Sequence, residues 1–511
     1  MVRRPWQLSA LTGVAAGAVT LGAAELLAGF SARVGAAGGT PSPLLAVADS
    51  FVDRTPAWLK DAAIAVFGTG DKSALLVGMA LVLTAVCAGL GVLAARSLPA
   101  ALVAFAGVGA VGTAAVLSRP GAVLTDALPT VLGVAAGLVT LAALTGPRPA
   151  AESPPQGPGR RAVLVWGTSL TVLGVLAVAA GRVVSSAGEA VRAARAAFVV
   201  PSVAAPVRVP AAADQGVPGQ TTYLTPNESF YRIDTALAVP QVDPASWRLR
   251  VHGLVKREVE IDMAELLAQP MVEALVTLTC VSNEVGGNLA GNAVWTGWPV
   301  RELLAVAGPL PEADMVLSTS ADGWTAGTPL EVLTDDRAAL LAVGMNGEAL
   351  PAEHGFPVRM VVPGLYGYVS ATKWVVDLRV TRFADDAAYW TTRGWSARGP
   401  VKTASRIDVP STGSLPAGPT TVAGVAWAQH RGVEAVEVRV DDGPWRPAVL
   451  AAEPTVDAWR MWRFEWDATP GHHTLTVRAT DGTGEVQTAE PARPVPDGAS
   501  GWHTVEVDVA G

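Results

Sequence analysis

Thiol sulfur is nearly missing from this chain: two cysteines, Cys87 and Cys280, occur in 511 residues. Zinc and iron–sulfur centres built on clustered cysteines need several thiolates at short spacing, so both are excluded. Cys87 sits in a long apolar run, so no structural disulfide is expected. That absence does not fix the compartment, since exported bacterial proteins often do without disulfides. Histidine is also scarce, with six in all and none before His252. The apolar N-terminal third therefore offers no pair of axial histidines, and no haem is expected. Charged residues make up 16% of the chain, with a net charge of −8 and no long basic block. Nucleic acid is accordingly not an expected partner.

The N-terminal third has apolar length instead. Five segments, at about 7–29, 73–95, 99–118, 122–145 and 162–184, approach the length that crosses a ~30 Å hydrocarbon core. Small residues dominate them, which suits close helix packing in lipid. The shorter stretch Ala57–Phe67, with Trp58, Lys60 and Asp61, reads as an interfacial helix. Arg3, Arg4, Arg96, Arg148, Arg160 and Arg161 flank the ends that alternate to one side. The positive-inside rule then places the N-terminus in the cytoplasm and, after an odd number of spans, the remainder outside the plasma membrane. Glu25 and Asp126 are the ionisable residues in or near spans, where either function or simple hydration at a span end is open; an anchor, with membrane lipid as its partner, is the expectation. Arg160-Arg161 follows the loop Pro154–Gly159 and precedes a moderately apolar helix, a pattern similar to an internal twin-arginine export signal. Ordinary topogenic arginines explain it equally well.

The domain reading is an anchor over 1–186, a linker over 187–220 rich in Ala, Val and Pro, a mixed α+β domain over 221–396, and a β-rich domain over 397–511. Trp247–Val251 alternates with period two and ends at His252-Gly253, as a strand and turn do. Met263–Leu267 reads as a short helix capped by Asp262, Val300–Ala307 as a helix, and Arg359–Val362 as a buried strand. After Pro400, alternating strands separated by Asp442-Gly443, Pro470-Gly471 and Asp481-Gly482 predict a β-sandwich. His472-His473 is a poor metal pair, because neighbouring strand residues face opposite ways.

Cys280, in Leu278-Thr279-Cys280-Val281-Ser282-Asn283, is the one thiol outside the apolar third. Buried structural thiol, nucleophile and single protein ligand of a cofactor-borne metal all remain open. His252 and His354 permit a Cys–His hydrolase by count. Their surroundings favour an anion instead: His354–Arg359, Pro363–Tyr368 and Lys373-Trp374 combine cations with glycines that let backbone N–H groups approach a phosphate.

The ordered set Pro226–Tyr231, Thr279-Cys280-Val281, Trp295-Thr296-Gly297, Met345–Glu348, His354–Arg359 and Lys373-Trp374 resembles the sulfite oxidase family of molybdenum enzymes. The tail, from Lys402–Ile407 through Gly424–Ala428, resembles that family's immunoglobulin-like dimerisation domain, and the anchor is similar to that of membrane-bound actinobacterial members. The resemblance implies a multi-domain fold: a five-helix transmembrane bundle, an α+β molybdopterin domain and an immunoglobulin-like β-sandwich. It implies molybdenum-molybdopterin, with Cys280 as the metal's protein thiolate, a soft donor suited to a redox-active metal. Asn227, Phe230, Tyr231, Thr319, His354, Arg359, Gly367, Tyr368 and Lys373 match cofactor-binding positions. Two departures bear on substrate. Pro226 stands where sulfite-oxidising members carry Arg, and Tyr368–Thr372 lacks their second Arg. Fewer cations favour a neutral oxo donor, an S-oxide or N-oxide, with Tyr366 or Tyr368 supplying the proton. Sulfite oxidation is the alternative, and an inactive membrane receptor or scaffold is the alternative of another class. With no haem motif, electrons are expected to pass through a separate protein or a quinone. The oligomeric state is left open, because an anchor constrains how two chains meet.

Overall fold

A computed structural model describes residues 5–33, 39–56, 59, 66–67, 71–145, 160–184, 187–411 and 413–511. Arg3, Arg4, Arg148, the loop Pro154–Gly159 and nearly all of the expected interfacial helix Ala57–Phe67 lie outside the described residues. The chain divides into two compact units, Met1–Ala190 with Ala236–Gln241, and Val191–Thr235 with Val242–Gly511.

The first unit is helical: α1 (Trp6–Arg33), α2 (Pro43–Arg54), α3 (Asp71–Arg96), α4 (Leu98–Leu117), α5 (Leu128–Thr145) and α6 (Arg160–Val184). Among the described residues, five segments are long and apolar enough to cross a membrane: Trp6–Ser31, Ala74–Arg96, Leu98–Leu117, Leu124–Thr145 and Val163–Ala180. Helix α1 packs against α3, α5 and α6. Glycine makes this approach possible: a Cβ on Gly13 would meet the backbone of Cys87 and Gly91, and one on Gly22 would meet Gly174. Close backbone contact of this kind brings more dispersion attraction between apolar helices than larger side chains would allow. Glu25 and Asp126 are both buried, and both serve the backbone. Glu25 accepts from the Ser42 hydroxyl at 2.8 Å and Leu44 N–H at 3.2 Å, while Asp126 accepts from Gly39 N–H at 2.9 Å. Each carboxylate thus satisfies donors in the α1–α2 connection, where unpaired N–H groups would be costly.

Helix α7 (Ala187–Ala197) opens the segment 187–220, which the sequence marked as linker. From Val191 onward this segment belongs to the second unit and is tied down. Arg195 donates to Leu350 O at 2.8 Å, Val207 N–H to Glu273 at 2.8 Å, and Gln220 to Gly424 O at 2.8 Å. The Pro- and Ala-rich composition concealed this, because its partners lie between 66 and 204 residues away.

Among its described residues the second unit contains four sheets. The first orders β2 (Val259–Asp262), β1 (Arg248–Gly253), β10 (Val375–Thr381), β5 (Met315–Ser320) and β6 (Thr325–Pro329), with β1 and β10 parallel. The second orders β3 (Val272–Thr279), β4 (Ala290–Pro299), β7 (Leu340–Met345) and β8 (Glu348–Ala349), with β9 (Arg359–Val361) on β7. Short helices α8 (Met263–Leu267), α9 (Val300–Ala307) and α10 (Glu331–Thr334) connect them, completing an α+β domain. Helix α8 begins as its sequence requires: Asp262 caps Glu265 N–H, and Glu265 reaches back to Asp262 N–H, both at 2.9 Å. Helix α9 ends on left-handed Gly308.

The C-terminal region is β throughout. One sheet orders β11 (Ala404–Val409), β13 (Gly418–Trp427), β17 (Arg460–Ala468) and β16 (Val449–Leu450). The other orders β12 (Gly413–Pro416), β19 (His503–Ala510), β18 (Gly471–Asp481), β14 (Val433–Val440) and β15 (Arg446–Pro447). Val422, Trp462 and Phe464 from the first share a core with Val438, Val477 and Val507 from the second. Strand β19 shows the cause, burying alternate residues from Val505 to Val509 and exposing Glu506 and Asp508. His472 and His473 lie at the start of β18 rather than in a turn, and pair with different carboxylates, Asp508 and Asp441.

Candidate active site

Strand β3 aims Cys280. Its residues from Ala274 onward are all buried, so Leu275, Val276 and Leu278 each contribute about 1.5–3 kcal/mol of burial. The ladder with β4 closes at Thr279 opposite Ala290. Cys280 N–H then donates to Leu289 O at 2.9 Å, and Asn283 N–H donates back to Cys280 O at 3.0 Å. The cysteine is therefore fixed at the neck of a short loop, buried and unpaired to sulfur. Burial pushes its thiol up, while the Ser282 backbone and hydroxyl, and then Lys373, pull it back in part. Cationic neighbours and hydrogen-bond donors that favour the thiolate suit a metal ligand.

Two cations converge near it. Arg359, at the start of β9, is buried and donates to His354 O at 3.0 Å, Ala371 O at 3.4 Å and Met360 O at 3.4 Å. No carboxylate pairs with it among the described residues, and its guanidinium lies 4.9 Å from the Trp295 ring centre. Burial lowers its pKa to about 10. Lys373 donates to Asp234 at 3.1 Å and Glu353 O at 2.9 Å, and burial draws it down to about 8. Gly355 lets the two cations approach: at φ 112° an added Cβ would stand 2.9 Å from Arg359 Cβ and 3.2 Å from Lys373 Cα.

His354 supplies an unsatisfied group. Its Nε2 lies 3.2 Å from Asn227 O, which can only accept, so Nε2 carries the hydrogen and Nδ1 is left as an acceptor. Nδ1 is buried and has no hydrogen-bond partner among the described residues. Burial, then Arg359 and Lys373, lower His354 to about 3, so the ring is neutral. Buried polar atoms are almost always paired. An orphan acceptor beside a buried guanidinium without a carboxylate could receive an anionic ligand that also donates hydrogen bonds.

The other expected residues divide by position. Phe230 is buried, stacked on Tyr231 at 5.2 Å and edge-on to Trp295 and His354 at 5.7 and 5.5 Å. Burial, and next the neighbouring Cys280, raise the Tyr231 hydroxyl above its ordinary pKa. A Cβ at Gly367 would lie 3.8 Å from that hydroxyl and 3.8 Å from Thr279 O, so Gly367, Tyr231 and the end of β3 meet. Asn227 joins them through the backbone; its side chain is engaged with Met345 O at 3.2 Å and Asn346 at 2.9 Å. Thr319 is apart from this group, paired in β5 opposite Asp377 and Thr325. Its neighbour Ser318 is the residue that reaches Thr372, at 2.7 Å, so Thr319 lies on the opposite face.

The tyrosines expected as proton donors are engaged elsewhere. Tyr368 donates its hydroxyl to Ser396 O at 2.7 Å. The Tyr366 hydroxyl accepts from Lys402 N–H at 3.4 Å and packs on Gly498, and burial raises it to about 12. Tyr366 N–H also bonds Gly399 O at 2.7 Å, which turns the segment toward residues 396–402. Asp234, the buried carboxylate shared by Lys373 and Arg232, escaped sequence reasoning; a lone Asp 139 residues from its partner carries no local signal.

Comparison with known proteins supplies a family. Residues 236–390 match the oxidoreductase molybdopterin binding domain. Human mitochondrial sulfite oxidase is 31% identical over 343 residues, covering 56% of this chain and 62% of that protein. Chicken sulfite oxidase is 30% identical over 52% of this chain and 68% of its own length. An uncharacterized oxidoreductase of Bacillus subtilis is 34% identical over 31% of this chain and 76% of its own. Among solved structures, the sulfane dehydrogenase SoxCD of Paracoccus pantotrophus aligns with a TM-score of 0.50 at 23% identity, over 62% of this chain and 92% of that one. The chain thus spans less than two thirds of the mammalian relatives' length. With a matched domain, relatives at this identity and a site built on one buried thiol and two buried cations, the chain belongs to the sulfite oxidase family of molybdopterin-dependent oxidoreductases.

Proposed function

We propose that this protein is a membrane-anchored, extracytoplasmic enzyme that reduces a small S-oxide or N-oxide. The carrying observation is the convergence of buried Cys280 with Arg359, Lys373 and the unpaired Nδ1 of His354. When bound, molybdenum-molybdopterin supplies two-electron oxygen-atom exchange. Cys280 would hold the metal as thiolate; Arg359 and Lys373 would bind the phosphate, and His354 Nδ1 would accept from the pterin. The Tyr231 hydroxyl, kept protonated by burial and by the neighbouring Cys280, holds a proton beside Gly367 and the end of β3.

Direction follows from charge. Pro226 and the cation-free stretch Tyr366–Thr372 leave the known cations on the cofactor side, which suits a neutral substrate better than a dianion. Reduction of an S-oxide consumes two electrons and two protons and yields sulfide and water. The electrons would come from a separate carrier or a quinone. The β-rich tail reads as the family's immunoglobulin-like module, and the apolar helices as the anchor. Sulfite oxidation is the second reading, supported by the relatives named sulfite oxidase.

Anaerobic assays decide between them. Oxide-dependent oxidation of a reduced viologen dye is expected, with little sulfite-dependent reduction of ferricyanide. Rapid sulfite turnover without oxide reduction would overturn the proposed direction.

A further inference from the structure

The loop that presents Cys280 is held from both sides by the C-terminal β region. Gln429, just after β13, is 1% exposed. Its Nε2 donates to Thr279 Oγ1 at 2.9 Å and to Thr277 O at 3.1 Å. Both acceptors lie on the last turn of pleat before Cys280. Thr277 is gripped again, its N–H bonding Asp457 O at 3.0 Å and its hydroxyl accepting Trp459 N–H at 2.8 Å. On the far side of the loop, Arg406 in β11 donates to Gly287 O at 2.9 Å while held by Asp408 at 2.7 Å. The His503 ring closes over Gly286, whose φ of 76° and lack of Cβ permit that cover.

We propose that Gln429 and Arg406 are positioning residues for the Cys280 thiolate, so that the C-terminal β region is a working part of the active site. The proposal rests on Cys280 being the metal's ligand. The β region also joins the α+β domain through shared apolar core, with Val425, Trp427 and Trp459 in it, and through polar contacts elsewhere, such as Gln220 to Gly424 O at 2.8 Å. What sets the tethers on residues 277, 279 and 287 apart is that they are buried, directional and bracket the cysteine. Such bonds in a dry environment fix an angle as well as a distance, and a metal thiolate responds to both.

The test uses full-length protein in detergent with Cys87→Ala, so that Cys280 is the sole thiol. Gln429→Met removes both donors at nearly constant volume; Arg406→Met removes the second tether. Gln429→Glu keeps the side chain's shape and gives the same comparison if Gln429→Met is recovered unfolded. In cofactor-free protein, iodoacetamide should alkylate Cys280 about tenfold faster in the variants, as local opening of the loop becomes easier, with the global melting temperature little changed. In cofactor-loaded protein, the Mo(V) electron paramagnetic resonance signal should shift and kcat should fall with KM retained. Unchanged alkylation and an unchanged signal overturn the proposal, as does a rise in alkylation that only tracks a fall in melting temperature. Wild-type protein from a cofactor-competent host that lacks molybdenum would instead overturn the reading of Cys280 as ligand, while the alkylation comparison still decides whether the tethers hold the loop.

Discussion

At the scale of single residues, the site is an imbalance of charge that a ligand would correct. Among the described residues, Arg359 has carbonyl acceptors and no acid, Lys373 shares Asp234 with Arg232, and His354 Nδ1 has no donor. Arg359→Met should therefore weaken cofactor retention by about 1.5–3 kcal/mol, the range for hydrogen bonds to a charged group. Molybdenum and pterin content of the purified variant, measured after equal dialysis, checks this; retention equal to wild type would contradict it. Much of this was legible in the sequence. Cys280 stood out because so little sulfur surrounds it, and Arg359 and Lys373 because glycines accompany them. Asp234, Gln429 and Arg406 were illegible, since each acts on a partner at least 119 residues away. The misplaced hydroxyls of Tyr366 and Tyr368 share that cause: the segment 396–402 draws them off, and no local pattern announces it.

At the scale of elements, short strands were readable where one face is wet, as in β1 and β19, and where a continuous apolar run is buried, as in β9. The helix at 187–197 was missed because composition suggested a linker while its contacts are distant. Asp481, at the end of β18, shows how an element is fastened. It is fully buried and accepts from Arg431 at 2.8 Å, Thr403 at 2.9 Å and Thr483 at 2.6 Å, tying the chain before β11 to the sheet. Burial alone would raise its pKa, but the donors prevail and hold it well below the carboxylate range. A depressed folded-state pKa stabilises above the unfolded value near pH 4 and loses that contribution as pH falls. Asp481→Asn should thus cost about 1.5–3 kcal/mol at pH 7, with the gap from wild type narrowing toward pH 3. Urea midpoints at the two pH values test this; a gap that widens on acidification would refute it.

At the scale of the whole molecule, five helices among the described residues are apolar enough to span, and they precede a cofactor domain and a β-rich tail. The apolar helices were legible because apolar length is a local property; the proposed orientation rests on arginines that fall partly outside the described residues. Replacing Arg160 and Arg161 together with lysine should block export of the second unit if translocation is twin-arginine dependent. Protease accessibility in whole cells reports it, and unchanged external exposure would exclude that route. The central claim is that Cys280 holds molybdenum. Metal analysis of wild-type and Cys280→Ser protein from one cofactor-competent host tests it most directly. We expect about one molybdenum per chain in wild type, as one thiolate completes one site, and its loss in the variant; wild type free of molybdenum, or a variant that keeps it, would contradict the claim.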